Sequence, residues 1–143
     1  MSRGTGLLLA FDYGLKRIGV ATANRVTRSA SPLTTLANAA SLPWPEIDAL
    51  LAEWRPDCIV VGQPGQDADR ALLTSLAEFV ESLESRYDIP IERVDERFTS
   101  AAAADAIRTG RQQGYYNRRS TKDKVDQHAA CLIAERWMNR TLD

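Results

Sequence analysis

Apolar residues recur along the chain in short runs, and glycine, proline or polar residues separate these runs. Residues 7–11 form a continuous apolar run, which is typical of a buried strand. Gly14 marks a turn after it, and residues 17–24 continue as a second strand, so the pair predicts a hairpin. A third strand is predicted near residues 31–36, where Pro32 indicates an edge strand or the start of a strand.

Helices and strands alternate in the pattern that follows. Pro43 and Pro45 open a helix that runs to about Trp54, because proline suits the first helical turn. Residues 58–61 are a β-branched strand that Gly62 and a proline end. The clearest helix carries one apolar face, with this spacing: Leu72, Leu76, Phe79, Val80, Leu83 and Tyr87.

The last part of the chain predicts one more strand and two helices. Residues 91–94 read as a strand. Thr99 or Ser100 caps an alanine-rich helix that Gly110 closes. A final helix runs from about residue 120 or 121 to Asn139. This order predicts an α/β fold, a mixed sheet with helices on its faces. With 143 residues, we expect a single domain over 1–143.

Carboxylates stand at the ends of core elements in this pattern. Asp12 follows the first apolar run directly, and Asp95 and Glu96 end the strand at 91–94. Asp126 lies inside the final helix, on the face that also carries two alanines, Ile133 and a tryptophan. A carboxylate on an apolar face is costly unless something pairs with it.

Each of these acids also has an ordinary explanation. Asp12 can begin a turn, Asp95 and Glu96 can belong to a solvated loop, and Asp126 can pair with Lys122 one helical turn away. Their joint placement favours a site, because sites in open α/β sheets form beyond the strand ends. Converging acids there can bind one or two divalent ions, which stabilise the attacking and leaving oxygens of phosphodiester hydrolysis.

Composition narrows the chemistry of such a site. The chain has one histidine and two cysteines, which excludes a convincing zinc cluster, so carboxylates would hold Mg²⁺ or Mn²⁺. Cys58 and Cys131 are expected to be small buried hydrophobes in a reducing compartment. No apolar run reaches the ~20 residues of a membrane span, and residues 1–6 give no secretory signal. We therefore expect a cytoplasmic protein.

Basic residues suggest a nucleic-acid partner, although the net charge of −1 does not. Between residues 107 and 124 there are six basic residues and one acid, together with Tyr115 and Tyr116. Tyrosines in a basic segment can stack on bases, whereas packing on the body is their alternative role. Basic neighbours of the acids can contact phosphates, or they can be solvated surface charges: Lys16, Arg17 and Arg97.

Four segments resemble the signatures of one known family. They are "FDYGLKRIGVA" (11–21), "IVVGQP" (59–64), "VDERFTS" (94–100) and "KDKVDQHAA" (122–130). In this order the chain is similar to the YqgF-type family over about residues 7–138. Members of that family are ribonuclease H-like and are described as Holliday junction resolvases or pre-16S rRNA nucleases. The first and third segments are the specific ones.

The resemblance implies a ribonuclease H-like fold, a five-stranded mixed sheet with helices on both faces. It implies a divalent-metal nuclease of structured nucleic acid, associated with maturation of the 5′ end of 16S rRNA. It implies three catalytic, metal-binding acids: Asp12, Glu96 and Asp126. Asp95 would be a helper or structural acid. Basic residues at the rim of the site would bind substrate: Lys16, Arg17, Arg97 and Lys122.

Three other functions compete with rRNA processing. A sugar-kinase or actin-like ATPase also begins with a strand carrying Asp-x-Gly, but it needs two domains, and 143 residues give one. A non-catalytic nucleic-acid-binding module would bind metal without cleaving any substrate. A Holliday junction resolvase cuts two symmetric strands and requires a stable dimer. No apolar helix face is predicted as a dimer seam, so we expect a monomer or a weak homodimer acting on pre-rRNA or branched DNA.

Overall fold

The computed structural model describes residues 6–38, 41–65, 67–95 and 118–140, with the side chains of 124–139 in the last range. The strands and helices are β1 Leu7–Tyr13, β2 Arg17–Asn24, β3 Ser29–Ala37, α1 Trp44–Trp54, β4 Cys58–Gln63, α2 Arg70–Arg86, β5 Ile91–Asp95 and α3 Arg118–Arg140. The helix predicted to end at Gly110 lies outside the described residues. So do residues 107–117 of the basic segment, which include its two tyrosines, whereas the rest of that segment belongs to the start of α3.

The strands form one five-stranded mixed sheet in the order β3-β2-β1-β4-β5. β1 pairs antiparallel with β2, and β2 pairs antiparallel with β3. β1, β4 and β5 run parallel, so Tyr13, Gln63 and Asp95 end their strands at the same side of the sheet. We call this side the carboxyl edge. The predicted α/β fold with a five-stranded mixed sheet is confirmed.

Alternation along β1 divides the core into two layers. Leu9, Phe11 and Tyr13 pack with α1 and α2 on one face of the sheet. Leu8 and Ala10 pack with α3 on the other face. Because successive strand residues point to opposite faces, every residue of β1 is assigned to a layer by its parity. Helices therefore cover both faces, as predicted.

Where α3 crosses β2, small side chains on the strand bring helix and sheet into close contact. β2 offers Ala21 and Ala23 to α3, both almost fully buried. At Gly19 the approach is closest, since an added methyl group would lie 2.1 Å from the carbonyl oxygen of Asp126. Only glycine is compatible with this distance. The contact fixes the height of α3 above the sheet at Asp126.

The element boundaries agree with the sequence pattern to within about two residues. Gly62 was predicted to end the fourth strand, but β4 runs through Gly62 to Gln63 and both residues pair with β5. Tyr87 was predicted on the apolar face of the second helix, but α2 ends at Arg86 and the Tyr87 backbone is extended. The apolar spacing continues past the helix because Tyr87 still packs against the core beside it. α3 begins at Arg118, before the predicted residue 120, since arginine is itself a good helix former.

The proline in β3 behaves as predicted for an edge strand. β3 lies at one end of the sheet order and pairs only with β2. The register shifts between Val20 and Ala21, which face Thr34 and Pro32, so Leu33 has no partner opposite. Proline cannot donate a ladder hydrogen bond, and a bulge at an edge strand tolerates it.

None of the helices in the described part of the chain is both long and apolar enough to cross a membrane. Cys58 and Cys131 are both free thiols and both buried, as predicted for small core residues. Burial raises the pKa of each thiol to about 11.

The raised thiol pKa predicts unreactive cysteines. At pH 8 both thiols of the folded protein remain protonated, and only the thiolate is nucleophilic. We expect an aromatic disulfide reagent to modify neither Cys58 nor Cys131 within minutes, and to modify both at once in denaturant. A spectrophotometric thiol titration measures this. Rapid modification of the folded protein would contradict the burial of the two side chains.

The contact at Gly19 predicts a severe effect of one methyl group. Gly19→Ala should lower the free energy of unfolding by about 3 kcal/mol, the upper end for overpacking, because backbone and not a flexible side chain blocks the methyl. Urea denaturation followed by circular dichroism measures the loss. An unchanged urea midpoint would show that α3 does not rest on β2 at this residue.

Candidate active site

Asp12 lies at the carboxyl edge, on the face of the sheet that α3 covers. It is the last residue but one of β1, and its register partner in β2 is Gly19. Leu8 and Ala10 pack against α3, so the same alternation places Asp12 on that face. Its side chain is only partly buried. The carboxylate therefore stands where the apolar layer under α3 ends.

Asp126 is brought to the same place by α3. Its backbone contacts Gly19, the register partner of Asp12. Its side chain is 18% exposed, and Arg17 donates a hydrogen bond from Nε to Oδ2 at 2.7 Å. The pairing of Asp126 with Lys122 was the alternative from the sequence. The observed partner is Arg17, and the Lys122 side chain lies outside the described residues.

β2 supplies both groups that hold Asp126 in place. Arg17 and Gly19 are two residues apart and point to the same face of the sheet. Gly19 lets the helix backbone approach, and the guanidinium of Arg17 offsets the cost of a carboxylate beside an apolar layer. The hairpin of β1 and β2 thus places Asp12 and Asp126 together.

Asp95 shares the carboxyl edge but not the face. Val94 packs in the α3 layer, so Asp95 and Arg93 point to the opposite face. There Arg93 donates to Oε1 of Gln63 at 3.1 Å. β5 is separated from β1 by β4, about 10 Å in total at the usual strand spacing. The structure therefore does not bring Asp95 together with Asp12 and Asp126.

The remaining predicted site residues are placed only by the sequence. Glu96 and Arg97 follow β5 and lie outside the described residues. Within the described ranges, no group of three carboxylate, histidine or cysteine side chains is close enough to hold a metal ion. Two carboxylates on one face are nevertheless the hard oxygen ligands that Mg²⁺ and Mn²⁺ prefer. The donor chemistry of Asp12 and Asp126 fits such an ion, and the third ligand stays a prediction.

A cleft of about 350 Å³ opens beside Asp126 at the carboxyl edge. We call it the acidic cleft. Its walls are the hairpin residues 14–17, Asp126, and Asp69 and Leu72 from the start of α2. Of its two basic lining residues, Lys16 is exposed and Arg17 is half-buried. Exposed cations next to carboxylates suit a ligand that is itself anionic, such as a phosphodiester.

Asn38 supports this site and was missed in the sequence. It follows β3 and is 7% exposed. Its side-chain amide donates to the carbonyl of Gly14 at 2.7 Å, and its backbone N–H donates to the carbonyl of Lys16 at 2.9 Å. A single asparagine after a strand carries no sequence signal of such a role. Asp69 was also missed, although an aspartate before a helix signals the cap that it forms.

Comparison with protein families gives one match across almost the whole chain. The family described as "RuvX: Holliday junction resolvase" matches residues 6–140. Its relatives carry the curated name "Putative pre-16S rRNA nuclease". One from Legionella pneumophila (strain Paris) is 40% identical over 139 residues, which is 95% of this chain and 97% of the relative. One from Marinobacter nauticus is 37% identical over 137 residues, 94% of this chain and 93% of the relative.

Solved structures with the same fold are more distant in sequence. Fowlpox virus resolvase in complex with Holliday junction DNA is 14% identical with a TM-score of 0.59, covering 96% of this chain and 99% of that one. T. thermophilus RuvC in complex with a Holliday junction substrate is 12% identical with a TM-score of 0.57, covering 95% of each chain. At these identities the likeness establishes the fold, which is the ribonuclease H-like fold predicted above.

The pair of Arg17 and Asp126 predicts a measurable coupling. We expect Arg17→Met to lower the free energy of unfolding by about 1 kcal/mol, because the pair is only partly shielded from water. A double-mutant cycle with Asp126→Asn, followed by urea denaturation, isolates the interaction. The Arg25–Asp57 pair at 3.7 Å serves as the control and should couple more weakly. Equal coupling in both cycles would contradict a specific role for Arg17.

Proposed function

Because the chain belongs to the RuvX family of Holliday junction resolvases, we propose that it is a hydrolase that cleaves phosphodiester bonds in structured nucleic acid. Its proposed biological role is processing of the 5′ end of pre-16S rRNA in ribosome biogenesis. The curated names of its relatives, which align over nearly their full lengths, support this role. The role also implies a cytoplasmic protein, and the match over residues 6–140 supports a single nuclease domain.

One observation supports this function above the others. The contact of Asp126 with Gly19 brings the only charged side chain of β1 and an acid of α3 to one face of the carboxyl edge. A core helix lying this close to the sheet would pack as well with an apolar residue at 126. The carboxylate that stands there instead pairs with Arg17, an arrangement that a functional site would explain and that packing does not need.

In this proposal Asp12, Glu96 and Asp126 hold Mg²⁺ or Mn²⁺. The bound metal would supply positive charge that stabilises the oxygens of the reacting phosphate. Arg17 keeps the Asp126 carboxylate in one orientation through its Nε hydrogen bond. Lys16 contacts a phosphate at the rim of the acidic cleft, with Arg97 and Lys122 contacting flanking phosphates.

The substrate follows from the relatives more than from the site. Junction cleavage is the second candidate, since the family description names it. A resolvase would need a stable two-fold dimer, whereas we propose a monomer or weak homodimer. The junction-bound structures above are too distant in sequence to assign a substrate here. A structured rRNA precursor is therefore the first substrate to test, with a four-way DNA junction as the second.

The test compares cleavage by the wild-type protein with three variants in Mg²⁺ or Mn²⁺. Asp12→Asn and Asp126→Asn keep the side-chain shape but weaken a metal ligand, so the cleavage rate should fall on the order of 100-fold or more. Asp88→Asn is the matched control, because Asp88 is exposed before β5 at the opposite side of the sheet. Gel assays on end-labelled rRNA precursor and DNA junction measure the rates.

Each outcome of this assay decides between the candidates. Cleavage of RNA by wild type and Asp88→Asn alone would support the proposal. Preferred cleavage of the junction would support the resolvase. Equal cleavage by all four proteins would refute the roles of Asp12 and Asp126. Cleavage of neither substrate by any of the proteins would favour a non-catalytic binding module.

A further inference from the structure

The tip of the β1–β2 hairpin carries an exposed leucine. Within the described ranges only two large apolar side chains are exposed, Leu15 at 44% and Val26 at 77%. Val26 lies at the opposite side of the sheet, in the turn between β2 and β3. Leu15 instead stands at the carboxyl edge, between β1 and β2, three residues after Asp12. A single exposed leucine is ordinary on a protein surface, so a functional role for Leu15 must be argued from the residues and clefts around it.

The backbone beneath Leu15 is held rigidly. The two hydrogen bonds from buried Asn38 join both sides of the tip, one at Gly14 and one at Lys16. A methyl group on Gly14 would lie 2.7 Å from the carbonyl oxygen of Arg17, so the turn is also tight. The buried asparagine therefore serves to fix three residues of which the middle one is an exposed leucine. A rigid tip loses little conformational entropy when a ligand contacts it.

Leu15 also separates two clefts. On one side is the acidic cleft with Asp126. On the other is a cleft of about 340 Å³, which we call the tip cleft, lined by Tyr13, Leu15, Asn38, Ser41, Leu42, Ser75 and Glu78. Ser41 and Glu78 place polar side chains in the wall of the tip cleft, whereas the Tyr13 and Ser75 hydroxyls hydrogen-bond to each other and the Asn38 amide donates to Gly14. Its volume is within the range of small-ligand sites.

We propose that Leu15 is an apolar wedge that separates stacked bases where a duplex ends or branches, next to the bond that is cut. The tip cleft receives the base that the wedge displaces. This inference rests on the proposed nuclease function and adds the shape of nucleic acid that the site selects. Leucine is among the side chains that wedge between base steps elsewhere, and a displaced base needs a polar cleft beside it. Lys16, the next residue, is placed to contact the adjacent phosphate.

The experiment uses the full chain in its Asp12→Asn form, which binds without cutting. The probe is a forked duplex with 2-aminopurine at the base next to the fork, in an RNA and a DNA version. Unstacking of this base raises its fluorescence. We compare Asp12→Asn alone with the same chain carrying Leu15→Ala or Val26→Ala. Binding is measured separately by anisotropy, and fluorescence is read at saturation.

We expect the Asp12→Asn protein and its Val26→Ala form to raise the fluorescence equally. Leu15→Ala should remove most of the rise while the Kd changes by less than about threefold, below 1 kcal/mol. In the otherwise wild-type chain, Leu15→Ala should slow cleavage of the paired fork about tenfold, because the base next to the fork is unstacked less often without the wedge. A fork with an unpaired base at that position should be cut at the wild-type rate.

An equal rise with Leu15→Ala would overturn the wedge. Binding of all three proteins without any rise would overturn it too, and it would leave the nuclease function standing if Asp12→Asn still abolishes cleavage. Loss of binding by Leu15→Ala alone would show a general contact and not a wedge. Binding by none of the proteins, with no cleavage by wild type, would refute the proposed function itself.

Discussion

The architecture of the site depends on the close approach of the α3 backbone to β2 at Gly19. A helix on a sheet is normally held off by the side chains between the two surfaces. At Gly19 no side chain intervenes, and a methyl group would meet the Asp126 carbonyl oxygen at 2.1 Å. The alanines of β2 continue this thin layer away from the site. The acid on α3 therefore reaches the level of the strand ends, where Asp12 lies.

The two faces of the sheet are packed differently. The α1 and α2 side is filled by large side chains, including Phe11 against Phe79 at 6.0 Å and Tyr13 stacked on Phe79 at 4.7 Å. These large rings bury much apolar surface and pack β1 against α2 on the face opposite α3. On the α3 side, β2 presents glycine and alanine, so the helix backbone lies closer to the sheet there. The close contact of α3 with β2 therefore positions the carboxylates, and the layer of large side chains on the other face of the sheet packs against the same strands.

Much of this fold could be predicted from local sequence patterns. The hairpin, the edge strand with Pro32 and the apolar face of α2 each follow from the period of the chain and from its prolines. Asp12 and Asp126 were identifiable because an acid on an apolar pattern conflicts with its neighbours. The contact of Asp126 with Arg17 was not, since Arg17 is 109 residues away in the sequence and no local pattern links the two. The two hydrogen bonds from Asn38 to the hairpin tip, and the two clefts beside it, depend on tertiary contacts. The spacing of apolar residues along the chain does not predict such contacts.

Because Arg17 and Asp126 are far apart in the sequence, their contact forms late in the synthesis and folding of the chain. α3 is synthesised after every other described element, and domains generally form as the chain emerges from the ribosome. Before α3 docks, Gly19 and Arg17 of β2 are in place but do not yet contact Asp126. The two acids share a face only after this last closure. A nascent chain in which α3 has not yet docked would therefore have an incomplete site.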